Sequence, residues 1–181
     1  MSDDVDARLG GRAIRDVVYP EEVIRVRVAE LGAEISAAYG EADRLLVLGL
    51  LKGSFLFLAD LVREIRAPLQ VDFLVASSYG AGTSSSGEVR LLYEPPSDLE
   101  GRTVLLVEDI VDSGTTLERL VPLLERRGAR RVDVCTLLHK RLPGVTAEVR
   151  WVGFDAPNSF LVGYGLDHAE HFRHLPYIAS L

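Results

Sequence analysis

Short, uninterrupted apolar segments of strand length recur along this chain, and most are followed by a helical pattern. The clearest is Leu45–Leu51, in which seven consecutive residues carry no polar side chain. A strand that is apolar on both sides must be covered on both faces, which is typical of a parallel sheet between layers of helices. Thr103–Val107 is a second buried strand of this kind, and Arg131–Leu138, which ends in an apolar run, is a further expected strand. The sequence therefore predicts an α/β fold with a mostly parallel central sheet flanked by helices.

The helical segments have less uniform signals. Apolar residues recur at helical spacing from Pro20 to Gly40. Ser54 is placed to cap a second helix, and a third is expected from Thr116 to Arg127. The expected inward stripe of the second helix consists of Phe55, Leu58, Ala59 and Val62.

A length of 181 residues suits one domain. Residues 1–16 are charged and lack periodicity, so they are expected to form a flexible N-terminal arm before a single domain over 17–181. Residues 78–87 are rich in glycine and serine and are expected to be mobile. We expect residues 89–93 to pair antiparallel with a strand over 69–77.

Composition excludes several classes of protein. The net charge of −7 argues against nonspecific binding of nucleic acid. The apolar segments are far shorter than the roughly 20 residues that cross a bilayer, so no membrane association is expected. A single cysteine, Cys135, excludes a disulfide framework, and the acidic N-terminus resembles no secretory signal. A cytoplasmic location is expected.

The chemistry is concentrated in Val104–Thr116, with the sequence VLLVEDIVDSGTT. A buried strand leads to Glu108 and Asp109, then to Asp112, and a turn of small hydroxyl residues begins a helix. Backbone N–H groups at such a helix start are a ready phosphate site, and ligands of parallel sheets bind beyond the carboxyl ends of the strands. The carboxylates are better suited to sugar hydroxyls or to a hydrated metal ion than to the phosphate itself.

Lysine is rare in this sequence. Of 20 lysine and arginine residues, Lys52 and Lys140 are the only lysines. An ammonium is a compact point charge and a guanidinium is a planar fork, so positions that keep lysine can require the smaller group.

These segments resemble the type I phosphoribosyltransferases, and VEDIVDSGTT is similar to their hypoxanthine-guanine branch. The resemblance extends from about Ile14 to Leu181 through LLKGSFLFLADL, DFLVASSYGAGTSSSG and WVGFDAPNSFLVGYGLDHAEHFRHLPYI. It implies that the core sheet carries a small hood and a flexible lid loop. It also implies 5-phosphoribosyl 1-pyrophosphate (PRPP), hypoxanthine and guanine as substrates, a dimer or tetramer, and purine salvage as the function.

The resemblance implies a role for each matching residue. Glu108 and Asp109 would bind the ribose hydroxyls of PRPP, and Asp112 would lie against the purine as the candidate general base. Ser78 and Tyr79 would begin the lid that excludes water. The remaining implied contacts are Ser113, Gly114, Thr115 and Thr116 for the 5′-phosphate; Lys52, Gly53 and Arg173 for pyrophosphate; Lys140, Phe160, Leu161 and Ile110 for the purine; and Asp167 with Glu108 and Asp109 for Mg²⁺.

Lys140 also has a direct chemical meaning. An ammonium can only donate hydrogen bonds. It therefore favours purines with an oxygen at position 6, which can accept, and disfavours the 6-amino group of adenine. His139 and the segment Glu94-Pro95-Pro96 depart from the usual family pattern, which leaves the preference among hypoxanthine, guanine and xanthine open.

Other readings stay open at this point. A xanthine-preferring or pyrimidine phosphoribosyltransferase would share Glu108–Thr116 without needing Lys140 and Phe160 together. A PRPP-binding regulator of nucleic acid should carry a basic patch, which this acidic chain lacks. The spacing of His168, His171 and His174 raises a metal site as an alternative, but no cysteine partner or HExxH motif accompanies it, so these residues are expected to be solvent-exposed.

Overall fold

The computed structural model describes residues 7–40, 44–78, 89–93 and 98–181. A short 3₁₀ turn, Ala7–Leu9, precedes the first strand. The strands are β1 (Asp16–Tyr19), β2 (Leu45–Leu51), β3 (Leu69–Ser78), β4 (Val89–Tyr93), β5 (Thr103–Val111), β6 (Arg131–His139), β7 (Trp151–Asp155), β8 (Leu161–Val162) and β9 (Ile178–Ser180). The helices are α1 (Glu21–Ala38), α2 (Phe55–Glu64) and α3 (Thr115–Arg126).

The central sheet has the strand order β4-β3-β2-β5-β6-β7. All neighbouring pairs are parallel except β3 with β4, which are antiparallel as the sequence predicted. Strand β2 is buried along nearly its whole length. The structure therefore confirms the mostly parallel α/β sheet.

Each face of the sheet has its own apolar layer. Leu45 and Val47 of β2 belong to the layer that packs against α1 and α2. Leu46 and Leu48, the alternate residues of the same strand, belong to the layer under α3. Side chains alternate between faces along a strand, so a strand in this position must be apolar throughout. The burial of both faces of β2 is the physical cause of its continuous apolar sequence.

The connections of the sheet diverge between β2 and β5. Helix α2 leads from β2 outward to β3, and α3 leads from β5 outward in the opposite direction to β6. This divergence leaves a crevice beyond the carboxyl ends of β2 and β5, where open α/β sheets bind their ligands. The loop Lys52–Gly53 and the carboxylates at the end of β5 both lie at this edge.

A second, three-stranded sheet joins the two ends of the chain in the order β1-β9-β8. Asp16 pairs with Ser180 in antiparallel register. The hood that the resemblance implied corresponds to this small sheet. From residue 7 onward, the segment expected to be a flexible arm contacts it, because Leu9 is buried beside Val162 and Leu175.

Helix α2 differs from its predicted form. The Ser54 hydroxyl donates to the carbonyl of Leu50, 2.6 Å away, and makes no capping bond, so the predicted capping role was wrong. The buried face of α2 consists of Phe57, Leu58 and Leu61. Leu58 was predicted correctly, but Phe55 and Ala59 are exposed and Val62 is half-buried. Ser54 does occupy the N-cap position of α2, where its carbonyl accepts from the Leu58 N–H. The helix carries apolar side chains on more than one face, so periodicity alone could not tell which face is inward.

No helix within the described ranges combines the length and the hydropathy needed to cross a membrane.

Candidate active site

The first carboxylate of the site lies within β5, not in the loop predicted from residue 108. Glu108 pairs in register with Thr136 of β6 and is 7% exposed. Burial, together with the neighbouring charge of Asp109, raises the pKa of Glu108 to about 8. Its Oε2 atom makes no hydrogen bond to any part of the chain that the structure describes. A buried oxygen of this kind is matched by a hydroxyl donor or a cation.

Asp109, the next residue of β5, is partly buried and lies against the loop that follows β2. Burial raises its pKa to about 6, although backbone N–H groups of Asp109 and Ile110 and the charge of Arg173 oppose that shift. A Cβ added to Gly53 would lie 1.7 Å from Asp109 Oδ2. Glycine is therefore required at position 53 for the loop after β2 to approach the carboxylate.

The loop after β2 also contacts the hood. The Leu51–Lys52 peptide bond is cis. Gly165, with φ of +100°, packs so closely that an added Cβ would lie 2.0 Å from the Gly53 carbonyl oxygen. The loop after β2 is thus in direct contact, at Gly53, with the turn that follows β8.

Two cations converge on one acidic residue beside this contact. Arg173 donates to the Gly165 carbonyl at 2.8 Å and pairs with Asp167 at 2.7 Å. Glu170 accepts from Arg173 at 3.3 Å and from Lys52 at 3.1 Å, which lowers the pKa of its carboxyl. The structure therefore brings Lys52, Gly53 and Arg173, the residues predicted to contact pyrophosphate, into one cluster.

The predicted phosphate loop begins α3. Gly114 has φ of +78°, and an added Cβ would lie 3.0 Å from Val145 and 3.1 Å from Ala147. The hydroxyls of Ser113 and Thr115 are 3.0 Å apart at the exposed start of the helix. Backbone N–H groups and hydroxyls at a helix N-terminus provide the donors that a phosphate group accepts.

Lys140 and Asp112 lie together beyond β5 and β6. The Lys140 ammonium donates to Asp112 Oδ2 at 2.9 Å, and the Lys140 backbone N–H donates to the carbonyl of Val111. The Lys140 side chain is 13% exposed, whereas Asp112 is about half exposed. Lys140 is therefore held beneath Asp112 with its charged end at the site.

The aromatic residue predicted to stack on the purine is on the surface. Phe160 is 55% exposed, and its ring meets His168 edge to face at a centroid distance of 5.4 Å. Leu161 is buried in the hood, where it pairs with Ser180, and Ile110 is partly buried opposite Leu138. An exposed aromatic ring is free to stack with a planar ligand.

His168, His171 and His174 are exposed and form no metal site within the described residues. His171 contacts Arg12 at 3.0 Å, and His174 contacts the Arg8 carbonyl at 3.1 Å, so the histidine side chains take separate partners. Ser78 ends β3 in register with Val89. The other predicted lid residue, Tyr79, lies outside the described residues.

The carboxylates fit a hard cation. Mg²⁺ prefers oxygen ligands and is typically held by one or two carboxylates together with phosphates and water. Glu108 has an unpartnered buried oxygen, and Asp167 lies close enough to Asp109 to raise its pKa. Within the described ranges, no group of three or more metal-binding side chains could hold an ion alone. A cation here would depend on oxygens from the substrate as well.

Sequence reasoning missed Glu170 and the turn around Gly165. Both lie in a segment quoted for its family resemblance, but neither carries a local signal. Glu170 is an acid among exposed charges, and Gly165 is explained only by the approach of the distant Gly53 carbonyl.

Three comparisons identify what this chain is similar to. The model of the phosphoribosyl transferase domain matches residues 18–169. Hypoxanthine phosphoribosyltransferase of Salmonella typhimurium is 45% identical over 168 residues, covering 92% of this chain and 94% of the relative. Hypoxanthine-guanine phosphoribosyltransferase of Dictyostelium discoideum is 45% identical over 172 residues, covering 92% and 95%.

A solved structure gives the same result. The crystal structure of a hypoxanthine-guanine phosphoribosyltransferase from Bacillus anthracis has a TM-score of 0.87 and 40% identity, covering 93% of this chain and 99% of that one. These matches confirm the resemblance drawn from the sequence motifs. The chain belongs to the phosphoribosyl transferase domain family.

Proposed function

We propose that this protein is a purine salvage enzyme that transfers the phosphoribosyl group of PRPP to hypoxanthine or guanine. The products are IMP or GMP and pyrophosphate. The observation that carries the proposal is the pairing of Lys140 with Asp112 at 2.9 Å, next to the phosphate loop that begins α3.

The pair is complementary to one edge of a 6-oxopurine. Hypoxanthine and guanine carry O6 and N7 on the same edge. The Lys140 ammonium donates to O6, and Asp112 Oδ accepts the proton carried at N7 as N9 bonds to the ribose. Phe160 supplies a stacking surface, while Leu161 and Ile110 bound the purine pocket. Adenine presents an amino group where Lys140 requires an acceptor.

The ribose and its phosphate occupy the adjacent elements. Ser113, Gly114, Thr115 and Thr116 hold the 5′-phosphate at the start of α3. Glu108 and Asp109 accept from the ribose hydroxyls. The Oε2 atom of Glu108 supports this assignment, because it is a buried acceptor near the carboxyl end of β5 with no hydrogen-bond partner among the described residues.

Pyrophosphate departure requires stabilisation of negative charge. Lys52, Gly53 and Arg173 bind the leaving group, and the cluster around Glu170 holds the two cations close together. Mg²⁺, held at Asp167, Glu108 and Asp109, supplies further charge neutralisation when bound. Ser78 and Tyr79 begin the lid in this proposal and exclude water from the ribosyl centre.

The test is a spectrophotometric assay of the whole chain with PRPP, Mg²⁺ and hypoxanthine, guanine, xanthine, adenine or uracil. Turnover of hypoxanthine or guanine is expected. Turnover of xanthine or uracil alone would instead support the alternative transferases. Tight PRPP binding with no turnover, together with retention on nucleic acid, would support a regulator.

Self-association and a cytoplasmic location are part of the proposal. Phe55, Val71 and Phe73 are exposed apolar side chains. Phe73 is in register with Gly49, which faces α2, so Phe73 shares that side of the sheet with α2. A homodimer or homotetramer would bury such a surface. Light scattering should give a multiple of the 19.9 kDa chain mass, and Phe73→Asp should lower it.

A further inference from the structure

We infer that Tyr164 and Asp60 form a positioning pair that holds the two halves of the pyrophosphate site in register. The Tyr164 hydroxyl donates to Asp60 Oδ2 at 2.6 Å. This bond joins the turn after β8, which contains Tyr164, to α2. The two residues are 104 positions apart in the sequence. The inference rests on the proposed function, since it assigns the leaving-group half of that same site.

The first half of the site is tied to α2. The helix begins at Phe55, directly after Lys52 and Gly53. The Phe55 N–H donates to the Lys52 carbonyl, so the loop and the first turn of the helix are bonded to each other. Asp60 lies in the following part of the same helix. Any displacement of α2 therefore moves the loop that carries Lys52.

The second half of the site is tied to Tyr164. Its neighbour Gly165 accepts a hydrogen bond from Arg173 at 2.8 Å, and the Gly165 N–H donates to the Arg173 carbonyl at 2.9 Å. Gly165 also packs against the Gly53 carbonyl. The position of Arg173 relative to the loop is thus set by the turn that contains Tyr164.

The turn itself has an unfavourable backbone conformation. Gly163, Tyr164 and Gly165 have φ values of +97°, +48° and +100°. The left-handed region suits glycine but is uncommon for a tyrosine, so surrounding contacts must hold that residue in place. The Tyr164 N–H donates to the Leu175 carbonyl at 2.8 Å, and its hydroxyl is held by Asp60. Removing the hydroxyl would free the turn at its outer end.

The chain offers a closely matched control. Tyr39 also donates to a carboxylate at 2.6 Å, in this case Asp133, and both tyrosines are 7% exposed. Asp133 lies near the amino end of β6, away from the ligand edge of the sheet. Tyr39→Phe removes an equivalent hydrogen bond without touching the turn at Tyr164.

The experiment compares two affinities by calorimetry, that for magnesium pyrophosphate and that for IMP. IMP carries the base and 5′-phosphate but lacks the leaving group. Tyr164→Phe should weaken pyrophosphate binding about tenfold, the cost of one part-buried hydrogen bond to a carboxylate, and leave IMP affinity within about twofold. Tyr39→Phe should leave both affinities unchanged, although its unfolding temperature also falls.

Asp60 variants provide an independent measurement in case Tyr164→Phe does not fold. Asp60→Asn keeps an acceptor for the hydroxyl and should retain pyrophosphate affinity, whereas Asp60→Ala should match Tyr164→Phe. Asp60 also pairs with Arg63, so Arg63→Ala serves as the control for that contact and should bind normally. The double variant Tyr164→Phe/Asp60→Ala should be no weaker than either single one.

Equal weakening of pyrophosphate and IMP binding, or unchanged pyrophosphate binding in Tyr164→Phe, would overturn the inference. So would a wild-type protein that does not bind pyrophosphate. If the wild type binds both probes but turns over no purine, the proposed function fails while the comparison of the variants still decides the role of this pair.

Discussion

Lys140 and Asp112 form an ion pair with a separation of 2.9 Å, in which a largely buried cation meets a half-exposed carboxylate. The carboxylate stands at the end of β5, and the lysine follows β6. Each group has its own task in the proposed reaction, because Lys140 selects the base and Asp112 handles its proton. Substitutions at the two positions should therefore fail in different ways.

Lys140→Ala should relax the choice of base. Loss of the donor proposed for the 6-position should reduce the preference for hypoxanthine over adenine by at least about tenfold. Lys140→Arg should also lose activity, since a planar fork is larger than the ammonium that this mostly buried position holds. The measurement is kcat/KM for both bases. Unchanged discrimination in Lys140→Ala would contradict the assigned role.

Asp112→Ala should lower kcat far more than it weakens PRPP binding. A general base contributes about 10²–10⁴ to the rate, whereas Asp112 makes no assigned contact with the ribose or phosphates. Steady-state kinetics with direct PRPP binding separates the two effects. Asp112→Asn serves as the matched variant, because it keeps an acceptor near Lys140 but cannot take a proton. Equal losses in turnover and binding would deny Asp112 a chemical role.

Gly53→Ala should disrupt PRPP binding. The added Cβ would lie 1.7 Å from the Asp109 carboxylate, which must then move from its backbone N–H donors. Overpacking of this kind costs about 1–3 kcal/mol. Gly40→Ala is the control, since a Cβ there meets nothing within 4 Å. Denaturant unfolding and PRPP titration measure both effects, and equal behaviour of the two variants would refute the steric argument.

His139 should make stability depend on pH. Burial lowers the pKa of His139, Arg141 lowers it further, and Asp155 opposes them. In the unfolded chain, His139 therefore takes up a proton near the ordinary histidine pKa of about 6.5, whereas in the folded chain it does so only at lower pH. The stability that neutral His139 contributes is fully present above about pH 6.5. It is lost as the pH falls through the pKa of His139 in the folded state.

The variant His139→Asn isolates this effect. The Arg141 N–H donates to His139 Nδ1 at 3.0 Å, and an asparagine oxygen can accept the same bond without titrating. Between about pH 7.5 and pH 5, the wild-type unfolding temperature should fall more than that of the variant. Parallel curves by calorimetry would show that His139 does not titrate in this range.

The sequence was sufficient for the layers of the fold. An apolar strand such as Leu45–Leu51 has one stable environment, a sheet covered on both faces, and the structure provides it. Strand β5 extends to Val111, beyond the predicted end at Val107, because Glu108 and Asp109 break the apolar pattern while keeping strand geometry. A local pattern cannot separate a polar loop from a strand whose polar end faces a site.

Contacts between distant residues were beyond local reasoning. The hood forms only when Asp16 pairs with Ser180, and the periodicity of neither segment predicts that pairing. The same holds for Glu170, which becomes meaningful only when Lys52 is brought beside it from the other end of the domain. The predicted residues themselves came from motif resemblance, while their mutual geometry came from the fold.

In the proposed reaction, the contacts of Glu170 have a consequence for turnover. Its carboxylate already pairs with both Lys52 and Arg173, so an incoming anion must compete with it for the same two cations. A ligand that also brings a ribose and a 5′-phosphate gains enough other contacts to win that competition. Free pyrophosphate gains fewer, and Glu170 can reclaim the cations after the bond to the ribose breaks. An internal anion of this kind favours product release over product inhibition.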